Sequence, residues 1–244
     1  MPNSYDKIGV NYSDIRKPDP RIASVILEAL GSAKTILNVG AGTGSDEPND
    51  LQVTALEPST EMIRQRPPSG TPVVQGFAKN LPFLDNAFDA SMASLTVHHW
   101  RDQAKGLKEM RRVTRGPVVI LTFDPSYRAF WLNDYIPGLV TLDETRMPEL
   151  TDYETSLGPV TITPVPIPHD CSDGFLAAYW RRPAAYLDPA VRNGISCFWA
   201  LGDISGELTK LANDVDSGAW AERHADLLEM DKADFGYRLV TAKS

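Results

Sequence analysis

The stretch Ile36-Leu37-Asn38-Val39-Gly40-Ala41-Gly42-Thr43-Gly44 decides how this chain folds. It reads as a buried strand running straight into a glycine-rich turn. Further on, Val53-Thr54-Ala55-Leu56 reads as a second apolar strand, and it ends on an acid, Glu57. A strand, a glycine turn and a carboxylate closing the next strand make the first half of a nucleotide site. Glycines let the backbone approach a ligand with no Cβ in the way. A carboxylate so placed can accept hydrogen bonds from both ribose hydroxyls. The spacing departs from the dinucleotide fingerprint, whose third glycine would stand at Ser45. That departure disfavours a nicotinamide-dependent oxidoreductase.

Two further segments follow in order. Gly76-Phe77-Ala78-Lys79-Asn80-Leu81-Pro82-Phe83 is a short turn with a Leu-Pro-Phe core. Phe88-Asp89-Ala90-Ser91-Met92-Ala93-Ser94-Leu95-Thr96-Val97-His98-His99-Trp100 is a strand that runs out into a His-His pair. With these four segments the chain resembles the class I S-adenosylmethionine-dependent methyltransferases, over roughly residues 35–124. The resemblance implies a Rossmann-like fold, a doubly wound, mostly parallel α/β sheet with an antiparallel final strand. It implies S-adenosyl-L-methionine as cofactor and S-adenosyl-L-homocysteine as product. The superfamily is large, so the resemblance speaks to the cofactor more than to the acceptor.

The resemblance also assigns roles. The backbone of Gly40, Ala41, Gly42 and Gly44 would hold the methionine portion, and Glu57 the ribose. Pro58 and Met62 belong to the helix that follows, with Met62 against the adenine or simply in the core. Ala78 would present its N–H to the adenine, and Ser94 and Leu95 would offer backbone groups to the cofactor's amino group. Phe77 departs from the family, which commonly has an acid there for the adenine amino group. Tyr12 and Arg16 precede the first helix, where related enzymes fold a segment over the cofactor, and Arg16 would pair with the methionine carboxylate. His98 and His99 are the catalytic candidates, because an imidazole suits proton removal near neutral pH. The plainer reading gives one a backbone hydrogen bond and packs the other on Trp100.

Composition narrows the function classes. With 42 % hydrophobic and 23 % charged residues the chain is an ordinary globular one. A formal charge of -8 argues against a nucleic-acid partner. Arg111, Arg112 and Arg115 cluster, but as the solvated end of a helix. Cys171 and Cys197 suggest neither a disulfide scaffold nor a metal site. The N-terminus carries no signal-peptide pattern and no apolar run is long enough to span a bilayer, so the expectation is a cytoplasmic protein without a membrane partner.

The pattern predicts a helix over 20–31, strands near 35–39, 52–57, 72–75, 88–95 and 117–123, and a crossover helix marked by Leu107, Met110 and Val113. Alternation of this kind implies a parallel sheet covered on both faces. The link from Ser45 to Gln52 makes a poor helix where the family has a full one, so either the connection is unusually tight or the first helix is cut to about one turn. That exposes one sheet face unless the 20–31 helix or a second copy of the chain covers it. Beyond Asp124 an edge strand is expected over 160–168, a helical block over 172–232 and a closing strand over 234–241. The cluster from His169 to Phe175 with Tyr179, Trp180, Arg181 and Arg182 reads either as an aromatic and cationic wall for an anionic small substrate or, more simply, with Asp170 or Asp173 as the cap of the following helix and Trp180 as core. The whole of 1–244 is expected to be one methyltransferase domain, with 125–233 supplying substrate-cap elements around the sixth strand. The reading is methyl transfer to a small-molecule acceptor, O- or N-methylation favoured. The alternative is a non-catalytic or regulatory S-adenosylmethionine-binding protein, suggested by the short link and Phe77.

Overall fold

The structure, a computed structural model, describes residues 16–48, 50–68 and 70–243. Strand β1 (Thr35–Val39) lies between β2 (Gln52–Glu57) and β4 (Ala90–Ser94), parallel to both. β3 (Val73–Gln75) and β5 (Val118–Phe123) extend the sheet in the same direction. β9 (Tyr237–Ala242) runs antiparallel between β5 and the edge strand β6 (Val160–Pro164), giving the order β3-β2-β1-β4-β5-β9-β6. Every residue of β5 is buried, as a central strand covered on both faces requires.

Each face has its own core. On one, Leu37, Val39, Leu56 and Ile120 meet Leu107, Met110 and Val113 of helix α3 (Gln103–Val113) and Tyr153 and Leu157 of α6 (Leu150–Leu157). On the other, Ile36, Val53, Met92, Val119 and Leu121 meet Ile22, Ile26 and Leu30 of α1 (Pro20–Leu30). Asp19 caps α1 by accepting the Arg21 N–H at 3.0 Å, and Gly31 closes it.

Among the described residues no helix joins β1 to β2; residues 40–48 and 50–51 form turns, bends and irregular backbone. Arg66, which follows the short helix α2 (Thr60–Arg64), reaches back into this link. Its Nη2 donates to Glu47 at 2.5 Å and its Nη1 to the Gly42 carbonyl at 3.1 Å, while Asn38 Nδ2 donates to Glu47 at 3.1 Å. The two ion-pair side chains are only 5 % and 8 % exposed. A Cβ on Gly44 would approach Arg66 Nη2 to 3.0 Å, so the turn and the guanidinium pack as one unit. Helix α1 covers the neighbouring sheet face, and a groove of about 570 Å³ stays open beside Leu51, Val53, Pro67 and Pro72.

The region beyond β5 corrects several expectations. The strand expected over 160–168 breaks at Val165 and Pro166, where prolines interrupt the ladder; Ile167–Pro168 (β7) instead pairs antiparallel with Lys232–Ala233 (β8). The helical block is mostly 3₁₀ turns and short helices, with Ser205–Asp216 the longest. Helix α6 belongs to the sheet layer rather than to a cap, because its apolar side meets α3 and β9. The remaining lobe closes on an aromatic core that includes Trp131, Trp180, Tyr186, Trp220 and Phe235. Trp180 is core as expected, its Nε1 donating to the carbonyls of Ile167 and Pro168.

Candidate active site

The carboxyl ends of β1, β2, β3 and β4 open into a pocket of about 410 Å³. Its wall includes Gly40, Ala41, Gly42, Glu57, Pro58, Met62, Ala78, Ser94 and Leu95, so most of the expected cofactor residues converge. Gly40 has φ +73° and a Cβ there would lie 2.2 Å from Thr96 Oγ1, so the turn needs glycine for two reasons. Leu95 has φ 47°, a conformation that costs a non-glycine residue of order 1–3 kcal/mol and gathers at ligand sites. Its N–H donates to the Leu121 carbonyl at 2.9 Å, which holds the strained turn to the sheet.

Glu57 is 5 % exposed, and its carboxylate is tied into the fold. Oε2 accepts the Gly42 N–H at 2.8 Å and Oε1 accepts the Ser59 N–H at 2.8 Å. The acid thus braces the glycine turn to the start of α2, while still lining the pocket. Met62 is buried and also part of the wall, so core and pocket are the same place for it. Phe77 is 56 % exposed in the pocket wall, which excludes inward packing and leaves its ring available for stacking. Gly106 on α3 lets Trp100 close this end: a Cβ there would meet the indole at 2.5 Å.

The two histidines separate. Both lie on the 3₁₀ turn Val97–His99, with ring centroids 3.9 Å apart. His99 is exposed to the pocket and forms part of its wall; His98 does not. Loss of hydration is the first cause lowering both pKa values. Arg146 and Arg16 add to it for His98, which falls to about 4. For His99 the neighbouring His98 comes second and the same arginines follow. The His99 imidazole is thereby neutral at pH 7 and can accept a proton.

Residues 16–21 are locked to the 169–175 stretch by ion pairs. Arg16 Nε and Nη2 grip Asp173 at 2.7 and 3.1 Å, and Arg21 joins Asp19 and Asp170 at 2.7 Å each. Asp170 and Asp173 therefore do not cap a following helix; the next turn, Leu176–Tyr179, has no side-chain cap. Arg16 lines the pocket as expected, with its guanidinium also bound to Asp173. Tyr12 lies outside the described residues. The arginines at the end of α3 are not a loose basic face: Arg112 binds Asp85 and Glu109, and Arg115 binds Asp89. Asn38, Asp46, Gln75, Thr96 and Arg101 also line the pocket and went unrecognised in the sequence. Gln75 and Thr96 carried a signal, their place at the carboxyl ends of strands, whereas Asp46 sits in an irregular link that offered none.

Comparison with known proteins agrees with this geometry. Residues 37–120 match the family described as methyltransferase domain. A crystal structure of a putative methyltransferase from an antibiotic biosynthesis pathway of Anabaena variabilis is 33 % identical, with a TM-score of 0.85 over 93 % of this chain and 98 % of that one. A demethylmenaquinone methyltransferase of Paenarthrobacter aurescens is 38 % identical over 115 residues, 43 % of this chain and 45 % of that protein. One from Renibacterium salmoninarum is 36 % identical over 119 residues, 43 % of this chain and 49 % of that protein. The match thus spans about half the length of these curated relatives. The chain belongs to the class I S-adenosylmethionine-dependent methyltransferases. S-adenosylmethionine is the cofactor that this membership brings, and the pocket fits it. The glycine cradle is one a Cβ would fill, and a buried carboxylate ends β2 where a ribose needs one.

Proposed function

We propose that this protein transfers a methyl group from S-adenosylmethionine to a small organic acceptor, at oxygen or nitrogen. The observation that carries this reading is the convergence of the glycine turn, Glu57 and a neutral His99 on one pocket wall. The names of the curated relatives, which point to a quinone precursor, support a small organic acceptor. When bound, the cofactor supplies the electrophilic methyl group, so the protein's own contribution is alignment and exclusion of water.

The residues divide that work. Residues 40–43 of the glycine turn and Ser94–Leu95 hold the amino-acid portion, and Glu57, Met62, Phe77 and Ala78 hold the adenosine, while Gly44 lies outside this wall, packed on Arg66. His99 takes the proton that an oxygen or nitrogen nucleophile must lose. His98, outside the pocket wall, acts on the ring beside it, 3.9 Å away between centroids. Replacement of His99 by Ala is expected to spare S-adenosylhomocysteine binding in a calorimetric titration and to lower turnover by about 10²–10⁴-fold. Unchanged turnover of an acceptor that the wild-type protein methylates would remove His99 from the reaction.

A further inference from the structure

The pocket has two chemically distinct ends. The β2 and β3 side carries Glu57, Gln75, Phe77 and Ala78, groups suited to an adenosine. The β1 and β4 side carries the glycine turn, Ser94, Arg16 and Asp46. An α-amino acid presents a carboxylate and an ammonium together, so its binding site needs a cation and an anion close to each other. Arg16 is the cation. The anion has no assignment in the glycine-turn motif, where Asn38, next to last in its strand, is turned to Glu47 through its amide.

We infer that the Asp46 carboxylate receives the ammonium group of the cofactor's amino-acid end. The inference rests on the cofactor reading above. Asp46 is part of the pocket wall, and its carboxylate makes no hydrogen bond of ordinary geometry to any described residue. Ser94 Oγ, which is buried, lies near it but short of hydrogen-bond geometry. The other carboxylate in this neighbourhood, Asp173, is gripped by Arg16 at 2.7 and 3.1 Å and is not in the wall. Among the described residues at this end of the pocket, Asp46 is thus the wall acid that no ion pair engages. Burial and the facing Asp173 carboxylate raise its pKa, with Ser94 and Arg16 acting in the opposite sense and Glu47 adding a smaller push upward. A carboxylate disfavoured by burial and by a like charge gains most from an arriving cation. The short β1–β2 link explains why the acid sits there: with no helix after the glycine turn, residue 46 stays in the turn at the strand ends.

The test compares ligands that differ at the amino-acid end. The wild-type protein and Asp46→Asn are titrated calorimetrically with S-adenosylhomocysteine, its analogue lacking the amino group, and 5′-methylthioadenosine, which lacks the whole amino-acid portion. Asp46→Asn keeps the shape of the side chain, and a thermal melt confirms its fold. The variant is expected to bind S-adenosylhomocysteine about 10- to 100-fold more weakly, the value of one charge-assisted hydrogen bond, and 5′-methylthioadenosine within about twofold of wild type. The deaminated analogue should bind both proteins equally. Equal losses for all three ligands, or no loss for S-adenosylhomocysteine, would overturn the assignment of Asp46. A wild-type protein that binds none of the three would overturn the cofactor reading itself, a result separable from either.

Discussion

The carboxylate of Glu57 accepts the backbone N–H of Gly42 at 2.8 Å, so the acid that ends β2 and the turn that ends β1 are one hydrogen-bonded unit. A substitution at Glu57 therefore acts on two levels. Glu57→Ala removes the proposed ribose acceptor and also releases the Gly42 and Ser59 N–H groups. S-adenosylhomocysteine affinity should fall by about 100-fold or more, as expected for two hydrogen bonds to a charged group. The melting temperature should fall as well. Wild-type affinity in titration calorimetry would refute the placement of the site.

Arg66 and Glu47 occupy the place of a missing helix, and their pair is buried. Arg66→Ala leaves a buried carboxylate without its partner and frees the Gly42 carbonyl. The expected cost is about 3–5 kcal/mol, read from denaturant unfolding. The double replacement Arg66→Met with Glu47→Leu should recover much of it, because no uncompensated charge then remains. A single variant as stable as wild type would mean that the pair is not what holds the link.

Gly40 faces a steric wall as well as a left-handed backbone. Gly40→Ala must move the Thr96 side chain and tolerate φ +73°. A loss of roughly 1–3 kcal/mol follows from the backbone strain alone. Gly40→Ala combined with Thr96→Ser should not recover it fully, because Ser keeps Oγ, the atom nearest the new methyl group. Thermal melts of the single and double variants decide this.

The imidazoles predict how stability and rate respond to acid. His98 is held at about 4, below its ordinary 6.5, and His99 is lowered in the same direction. Over that interval the unfolded chain binds more protons than the folded one, so these groups favour unfolding progressively as pH falls from 6.5 toward 4. Above pH 6.5 their contribution is complete. If His99 is the base, the acid limb of kcat/KM lies below pH 6.5. A limb centred at or above that pH, lost in His99→Ala, would show an imidazole that is not depressed.

Much of this architecture was legible because it is local. The strand-turn-acid pattern from Ile36 to Glu57, the start and stop of α1 at Pro20 and Gly31, and the apolar stripe of α3 each follow from residues near one another in the chain. The missing helix after β1 was legible for the same reason, since a short run rich in Asp, Glu and Pro cannot make one. The reading failed where partners are distant. Asp173 took Arg16 rather than a helix end, across 157 residues of chain. Arg112 tied down the loop before β4 rather than facing solvent. Val160–Pro164 kept its strand, but Ile167 and Pro168 passed to a separate two-stranded ribbon.

The sequence by itself determined the sheet, its direction and the cofactor end of the pocket, because hydrophobic period, glycine and strand-end acid are properties of short segments. Only the tertiary structure decided which charged groups are committed and which face the ligand. Asp46, Glu47, Asp170 and Asp173 are the same kind of residue in the sequence, polar and flanked by turn formers. In the fold Glu47 meets Arg66, Asp170 meets Arg21 and Asp173 meets Arg16, while Asp46 lines the pocket. The reason is physical: a buried charge is stabilised only by what packing brings within a few ångströms, and packing joins residues that the chain keeps far apart.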